Sequence, residues 1–215
     1  MIRRGILSLM VMALISTPAF GRDDKADLFE AAKRGKVDEV KELLDRGVDI
    51  NVKDEAGRTP LMEAAYWGRL DVVTLLLEKG ADINAKAQNG RTALIAAAQP
   101  GHTQIVQALL AKGADIEARN NDGSTALIEA ASGGHVEAVK ALIDAGADVQ
   151  AKKKNGRTAL MMAAYFGYTG IVEALLNKGA KVDEKDESGY AALDFAQSGK
   201  HKEVVELLSK AKTGN

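Results

Sequence analysis

The sequence predicts an all-α protein: a solenoid of six helix–turn–helix units with short hairpin turns between them. Three observations predict it. Gly57, Gly90, Gly123, Gly156 and Gly189 stand 33 residues apart, and so do Gly47, Gly80, Gly113, Gly146 and Gly179. Leu61, Leu94, Leu127, Leu160 and Leu193 keep the same step, as does a valine series from Val40 to Val205. Between the glycines, apolar residues fall three and four positions apart, the spacing of a helix that buries one face. The string NGRTAL occurs at 89–94 and again at 155–160, two periods on. Its recurrence is therefore a matter of architecture before it is one of chemistry.

The chain begins differently from how it continues. Arg3 and Arg4 give a basic start, ILSLMVMALI (6–15) is apolar, and STPAFG (16–21) is rich in small residues. This three-part pattern is that of a secretory signal peptide, with cleavage expected after Gly21 or, as second choice, after Ala19. The apolar run is about half the ~20 residues of a spanning helix, so no stable membrane anchor is expected after cleavage. RRGIL faintly resembles a twin-arginine signal, but the basic region is short and the general secretory route is favoured.

Residues 22–215 then form one repeat domain, with units at about 25–54, 55–87, 88–120, 121–153, 154–186 and 187–213. The first, ADLFEAAKRGKVDEVKELLDRG, lacks the turn and threonine of the others and reads as a cap. The second shows the local logic in full. DEAG (54–57) is a turn, Thr59 is placed to cap a helix, and Pro60 sits at its first position, where a missing N–H costs nothing. Leu61, Met62, Ala64 and Ala65 make a short apolar helix that Gly68 ends in left-handed geometry. LDVVTLLLEK is a second helix, burying Leu70, Val73, Leu76 and Leu77, and Gly80 stops it. Units three to five repeat this plan. The sixth has Ala191 where threonine is expected and closes with the charged KHKEVVELLSKAK, as an end unit facing water requires.

The blocks GRTPLMEAA, GRTALIAAA, GSTALIEAA and GRTALMMAA, with LLLEKGADIN, LLAKGADIE and LIDAGADVQ, resemble the ankyrin repeat. The resemblance covers residues 25–213. The family's histidine after its T-P-L is replaced by Met62, Ile95, Ile128 and Met161, so apolar packing must stand in for its hydrogen bonds. The turn aspartate is replaced by Ala87, Asn120 and Lys153, and those three hairpin tips are expected to be less firmly fixed.

Catalysis finds little support in the residues. There is no cysteine, which excludes disulfides, thiolate nucleophiles and cysteine-ligated zinc. His102, His135 and His201 follow helix-ending glycines one or two periods apart, roughly 10–20 Å in a stack, too far for shared ligation. Asp82, Asp115 and Asp148 recur in a solvated turn. No nucleophile–base set or phosphate-cradling loop stands outside the repeat. No enzyme activity, cofactor or metal is expected. Loss of Arg3 and Arg4 leaves 27 basic against 30 acidic residues, a balance that gives no case for nucleic-acid binding.

What the repeat leaves free to vary is its surface. In ankyrin proteins the hairpin tips and the exposed end of the first helix line a concave groove. The resemblance places Lys53, Arg58, Tyr66, Trp67, Lys86, Arg91, Arg119, Lys152, Lys154, Arg157, Tyr165 and Phe166 there. Tyr66–Trp67 and Tyr165–Phe166 occupy identical slots three units apart, about 30 Å at ~10 Å per unit, with the small pairs Gln99–Pro100 and Ser132–Gly133 between them. The five tip windows are basic in sum while the rest of the mature chain is acidic, and KKKNGR (152–157) is the strongest patch. The expected function is a non-catalytic protein-binding module of the bacterial envelope, a monomer in the periplasm. The alternatives are an accessory or protective factor for a periplasmic enzyme, and a secreted factor acting on another cell.

Overall fold

The computed structural model describes residues 23–213. The expected signal peptide, residues 1–21, lies outside them. Twelve helices are described, in six antiparallel pairs: α1 (Asp24–Arg34) with α2 (Val37–Asp45), α3 (Pro60–Tyr66) with α4 (Leu70–Glu78), α5 (Ala93–Ala98) with α6 (Thr103–Ala111), α7 (Ala126–Gly133) with α8 (Val136–Asp144), α9 (Ala159–Phe166) with α10 (Thr169–Asn177), and α11 (Ala192–Ser198) with α12 (Lys202–Thr213). First helices pack on first helices and second on second, each unit touching its neighbours. From α3 onward the first helices are shorter than the second and rich in alanine, and the first helices pack more closely than the second. Unequal spacing of two layers bends a stack toward the closer one, so the first helices lie on the inside of the curve.

The helix starts follow the expected chemistry. Thr59, Thr92, Thr125 and Thr158 each accept a hydrogen bond from the backbone N–H three residues on. Asp23 caps α1 through the N–H groups of Lys25 and Ala26. Ala191 cannot cap, and Asp194 instead takes the Ala191 N–H at 2.7 Å. The core is one continuous layer of leucine, isoleucine, valine and alanine between the two helix layers. In α4, Val72, Val73 and Leu76 are the buried residues, while Leu70 and Leu77 are half-buried at its edges. Met62, Ile95, Ile128 and Met161 are all buried, so apolar packing does occupy the slot where the family carries histidine.

The hairpin tips correct one expectation. Asn120 fixes its turn as firmly as an aspartate: its Oδ1 accepts from Asp122 and Ser124 N–H at 2.9 Å, as Asp54 and Asp186 do in their own turns. Hydrogen bonding here needs an acceptor oxygen and not a charge. Where Ala87 and Lys153 offer none, the asparagine two residues on supplies one bond in place of two, Asn89 accepting from Arg91 N–H and Asn155 from Arg157 N–H, so these two tips are less firmly tied, as expected. Successive fingers are also tied together. Gln88, Asn121, Lys154 and Glu187 donate their N–H groups to Ala56, Asn89, Asp122 and Asn155 of the preceding tip.

On the opposite side of the stack, the aspartates of the GAD loops hold their own turns, Asp82 accepting from Asn84 N–H and Asp115 from Glu117 N–H. Side-chain oxygens of Asn51, Asn84, Glu117 and Gln150 receive N–H groups from the next unit. No helix among the described residues is long and apolar enough to cross a membrane.

Candidate protein-binding groove

The histidines are structural ties. Nε2–H of His102, His135 and His201 donates to the carbonyls of Tyr66, Gln99 and Tyr165 at 3.0, 2.9 and 3.0 Å, each one unit back. Arg69 does the same in the second unit, its Nε donating to Lys33 O at 2.7 Å. Tyr168 fills the slot in the fifth, where its ring lies against Gly134 of the preceding unit and stacks on Phe166 of its own. The slot therefore selects a donor or ring that can bridge units, and no metal-binding group of three or more ligands occurs among the described residues.

The fingers overhang the exposed ends of the first helices. Clefts of about 420 and 290 Å³ lie beneath them; the first is lined by residues of α1 and the first finger, the second by residues of two fingers, α3 and α5. Two aromatic clusters mark this face. At the near end, Tyr66 and Trp67 meet edge to face, 5.5 Å between centroids. They are 40% and 42% exposed. Trp67 Nε1 donates to Glu63, whose other oxygen pairs with Arg58 at 3.0 Å. Lys33 lies over the Trp67 ring and Arg91 over the Tyr66 ring. These side chains are thereby held in place while their outer faces remain open to solvent.

At the far end, Tyr165 and Phe166 belong to a larger cluster. Tyr165 also meets Phe195, Phe195 meets Tyr190, and Phe166 stacks on Tyr168. Tyr190 is 54% exposed. Sequence reading missed Tyr190 and Phe195, although the period reveals them: Tyr190 occupies the slot of Arg58, and Phe195 that of Glu63. Between the clusters, Gln99, Pro100, Ser132 and Gly133 leave a low trough. Ser124, in the same slot as Arg58, is fully buried, and its Oγ finds no partner.

The basic residues divide into two groups. Lys53 donates to Lys86 O and Arg119 to Gly123 O and Lys152 O, so both tie fingers together. Lys152 pairs with Glu184, and Arg157 pairs with the buried Asp186 and lies over the Phe195 ring. Arg58 is bound by both Asp54 and Glu63. Lys86, Arg91 and Lys154 have no carboxylate partner among the described residues. The burial of Asp186 works against its ionised form. The N–H groups of Tyr190 and Ser188 and the Arg157 guanidinium outweigh that, and its carboxyl sits below the usual carboxylate range. Asp54 is likewise lowered against burial, by the backbone and side chain of Arg58.

Comparison with known proteins agrees with this architecture. A family model described as ankyrin repeats (3 copies) matches residues 7–87, 84–153 and 150–214. A chain of a solved complex, described as the Bd0816 predatory endopeptidase from Bdellovibrio bacteriovorus with immunity protein Bd3460, is 31% identical. The match covers 86% of this chain and 97% of that one, with a TM-score of 0.78. Comparison with curated proteins gave no match.

Proposed function

This chain belongs to the ankyrin-repeat family of protein-binding modules, and from that premise we propose that it is a non-catalytic binding module of the bacterial envelope that grips a protein partner in the groove between its fingers and first helices. One observation carries the reading. Two clusters of half-exposed aromatic rings stand on one face, three units apart, with a trough of small residues between them. Exposed aromatics on a polar surface are the usual anchors of binding hot spots. A groove of ~30 Å fits a helix or an extended segment of a protein better than a small molecule.

A narrower reading draws on the solved complex. It pairs an endopeptidase with an immunity protein, and the similar chain in it is matched over nearly its whole length. By that likeness the partner here is an enzyme, which this protein holds or protects. The amino-terminal segment supports export: a basic start, an apolar run and small residues before Arg22. Affinity capture from a periplasmic extract, followed by titration of the captured partner, tests the whole proposal. Trp67→Ala and Phe166→Ala are each expected to weaken binding at least ~10-fold, and Lys140→Glu, on the exposed side of α8, is expected to change little. Binding that is lost with Lys140→Glu and kept in both aromatic variants would refute the groove.

A further inference from the structure

We propose that the cleft between the second and third units is a carboxylate site, in which Arg91 receives an acidic side chain of the protein partner. This rests on the groove reading above and specifies the chemistry at one point within it. Three arginines share one repeat slot: Arg58, Arg91 and Arg157. Arg58 is bound by two carboxylates, Asp54 of its own turn and Glu63 of its own helix. Arg157 is neutralised by Asp186 of the next turn. Those three supplying positions become Ala87, Ala96 and Asn120 around Arg91, so every source of a carboxylate used by its two counterparts is neutral there.

The nearby acids are already committed. Glu63 gives one oxygen to Trp67 Nε1 and the other to Arg58, and Asp54 gives one oxygen to its turn and the other to Arg58. Arg91 is instead held by neutral groups: its Nη2 donates to Gln99 Oε1 at 2.6 Å and its guanidinium lies 5.6 Å from the Tyr66 centroid. It is therefore half-buried and pre-oriented, with N–H groups to spare. The alanines leave room. The cleft they line with Arg58, Met62, Glu63, Tyr66, Asn89 and Arg91 has a volume of about 290 Å³.

A carboxylate matches the planar fork of a guanidinium bidentately. The apolar wall of Met62 and Tyr66 suits the methylene stem of a glutamate or aspartate, and Asn89 brings an amide Nδ2 that no described group engages. Among the described residues, Arg91 is the guanidinium of this cleft without a direct carboxylate contact, and Glu63 already lines the same wall, which favours a single side-chain carboxylate over a phosphate dianion.

The test is an NMR titration of the arginine Nε–Hε signals in the repeat domain with N-acetylglutamate N-methylamide, its glutamine counterpart and N-acetylalanine. The Arg91 signal is expected to shift saturably with the glutamate probe, at least ten times more weakly with glutamine, while Arg58 and Arg157 stay still. Ala87→Asp rebuilds the arrangement of Asp54 and Arg58, so this variant is expected to keep its fold and lose the response. Arg91→Gln, whose reporting signal is absent, is followed through the Gln99 and Asn89 side-chain amides, which are expected to become indifferent to the probe. Equal response at all three arginines, equal response to glutamine, or a response surviving Ala87→Asp would overturn the proposal. N-acetylalanine binding tenfold tighter than the glutamate probe would overturn the side-chain source in favour of a chain terminus. A partner that needs Trp67 and Phe166 but ignores Arg91→Gln would sink this inference and leave the groove standing. An Arg91 site that binds the probe while the partner ignores both aromatics would do the reverse.

Discussion

Asparagine at 120 and aspartate at 186 do the same job in their turns, each with one oxygen accepting two backbone N–H groups. What Asp186 adds is a charge against Arg157, with N–O 3.2 Å. The charge leaves a pH signature. The folded carboxyl lies below its usual range. Its contribution is therefore fully present above the unfolded value of about 3.9 and is lost as pH falls through the lower folded value. Asp186→Asn keeps the acceptor and removes only the charge. The variant is expected to melt below the wild type at pH 7, with the gap narrowing as the solution is acidified below about pH 4. A gap of the same size at pH 7 and pH 2.5 would show that the ion pair contributes nothing beyond the turn.

At the scale of the element, two kinds of glycine end helices and they carry different demands. Gly146, after α8, has φ of +93° and open space where a Cβ would stand. Gly134, after α7, has φ of +79°, and a Cβ there would lie 2.8 Å from the Tyr168 ring of the next unit. Left-handed backbone alone costs a residue with a side chain about 1–2 kcal/mol. Gly146→Val meets that cost only, whereas Gly134→Val adds a clash across the unit interface and is expected to lose more, about 1–3 kcal/mol in all or somewhat above. Urea unfolding of the two variants separates the terms. Equal losses would mean that Tyr168 moves aside freely and that the interface there is not tightly packed.

At the scale of the molecule, each unit leans on its neighbours, so stability is a sum of unit and interface contributions. A lesion at Gly134 weakens the middle of the stack. The unfolding curve of Gly134→Val, followed by circular dichroism, is expected to broaden or split rather than merely shift, and a single sharp transition displaced to lower urea would argue for tighter coupling than a one-dimensional stack allows. Charge acts over the same length. Lys154 projects from a finger without a carboxylate partner, so Lys154→Glu is expected to slow association with an acidic partner, with the effect shrinking as salt rises from 0.05 to 0.5 M by a rough screening argument. An effect on dissociation alone, independent of salt, would place Lys154 inside the contact rather than beside it.

The sequence by itself determined the architecture of this protein. A period of 33 residues fixes the unit, because caps, turn glycines and buried leucines are local demands that each unit must satisfy for itself. It also placed Tyr66, Trp67, Tyr165 and Phe166 in equivalent slots, since residues in register share a face of a stack. Which charges remain free was decided only by tertiary structure. Arg58, Arg91 and Arg157 look alike along the chain, and two of them are consumed by carboxylates from their own turn, their own helix or the next finger. Tyr190 and Phe195 look like end-unit substitutions until their rings are seen joined to Tyr165. The repeat pattern specifies position within a unit. Pairing between units depends on distances across the stack, and those arise only when the units are packed together.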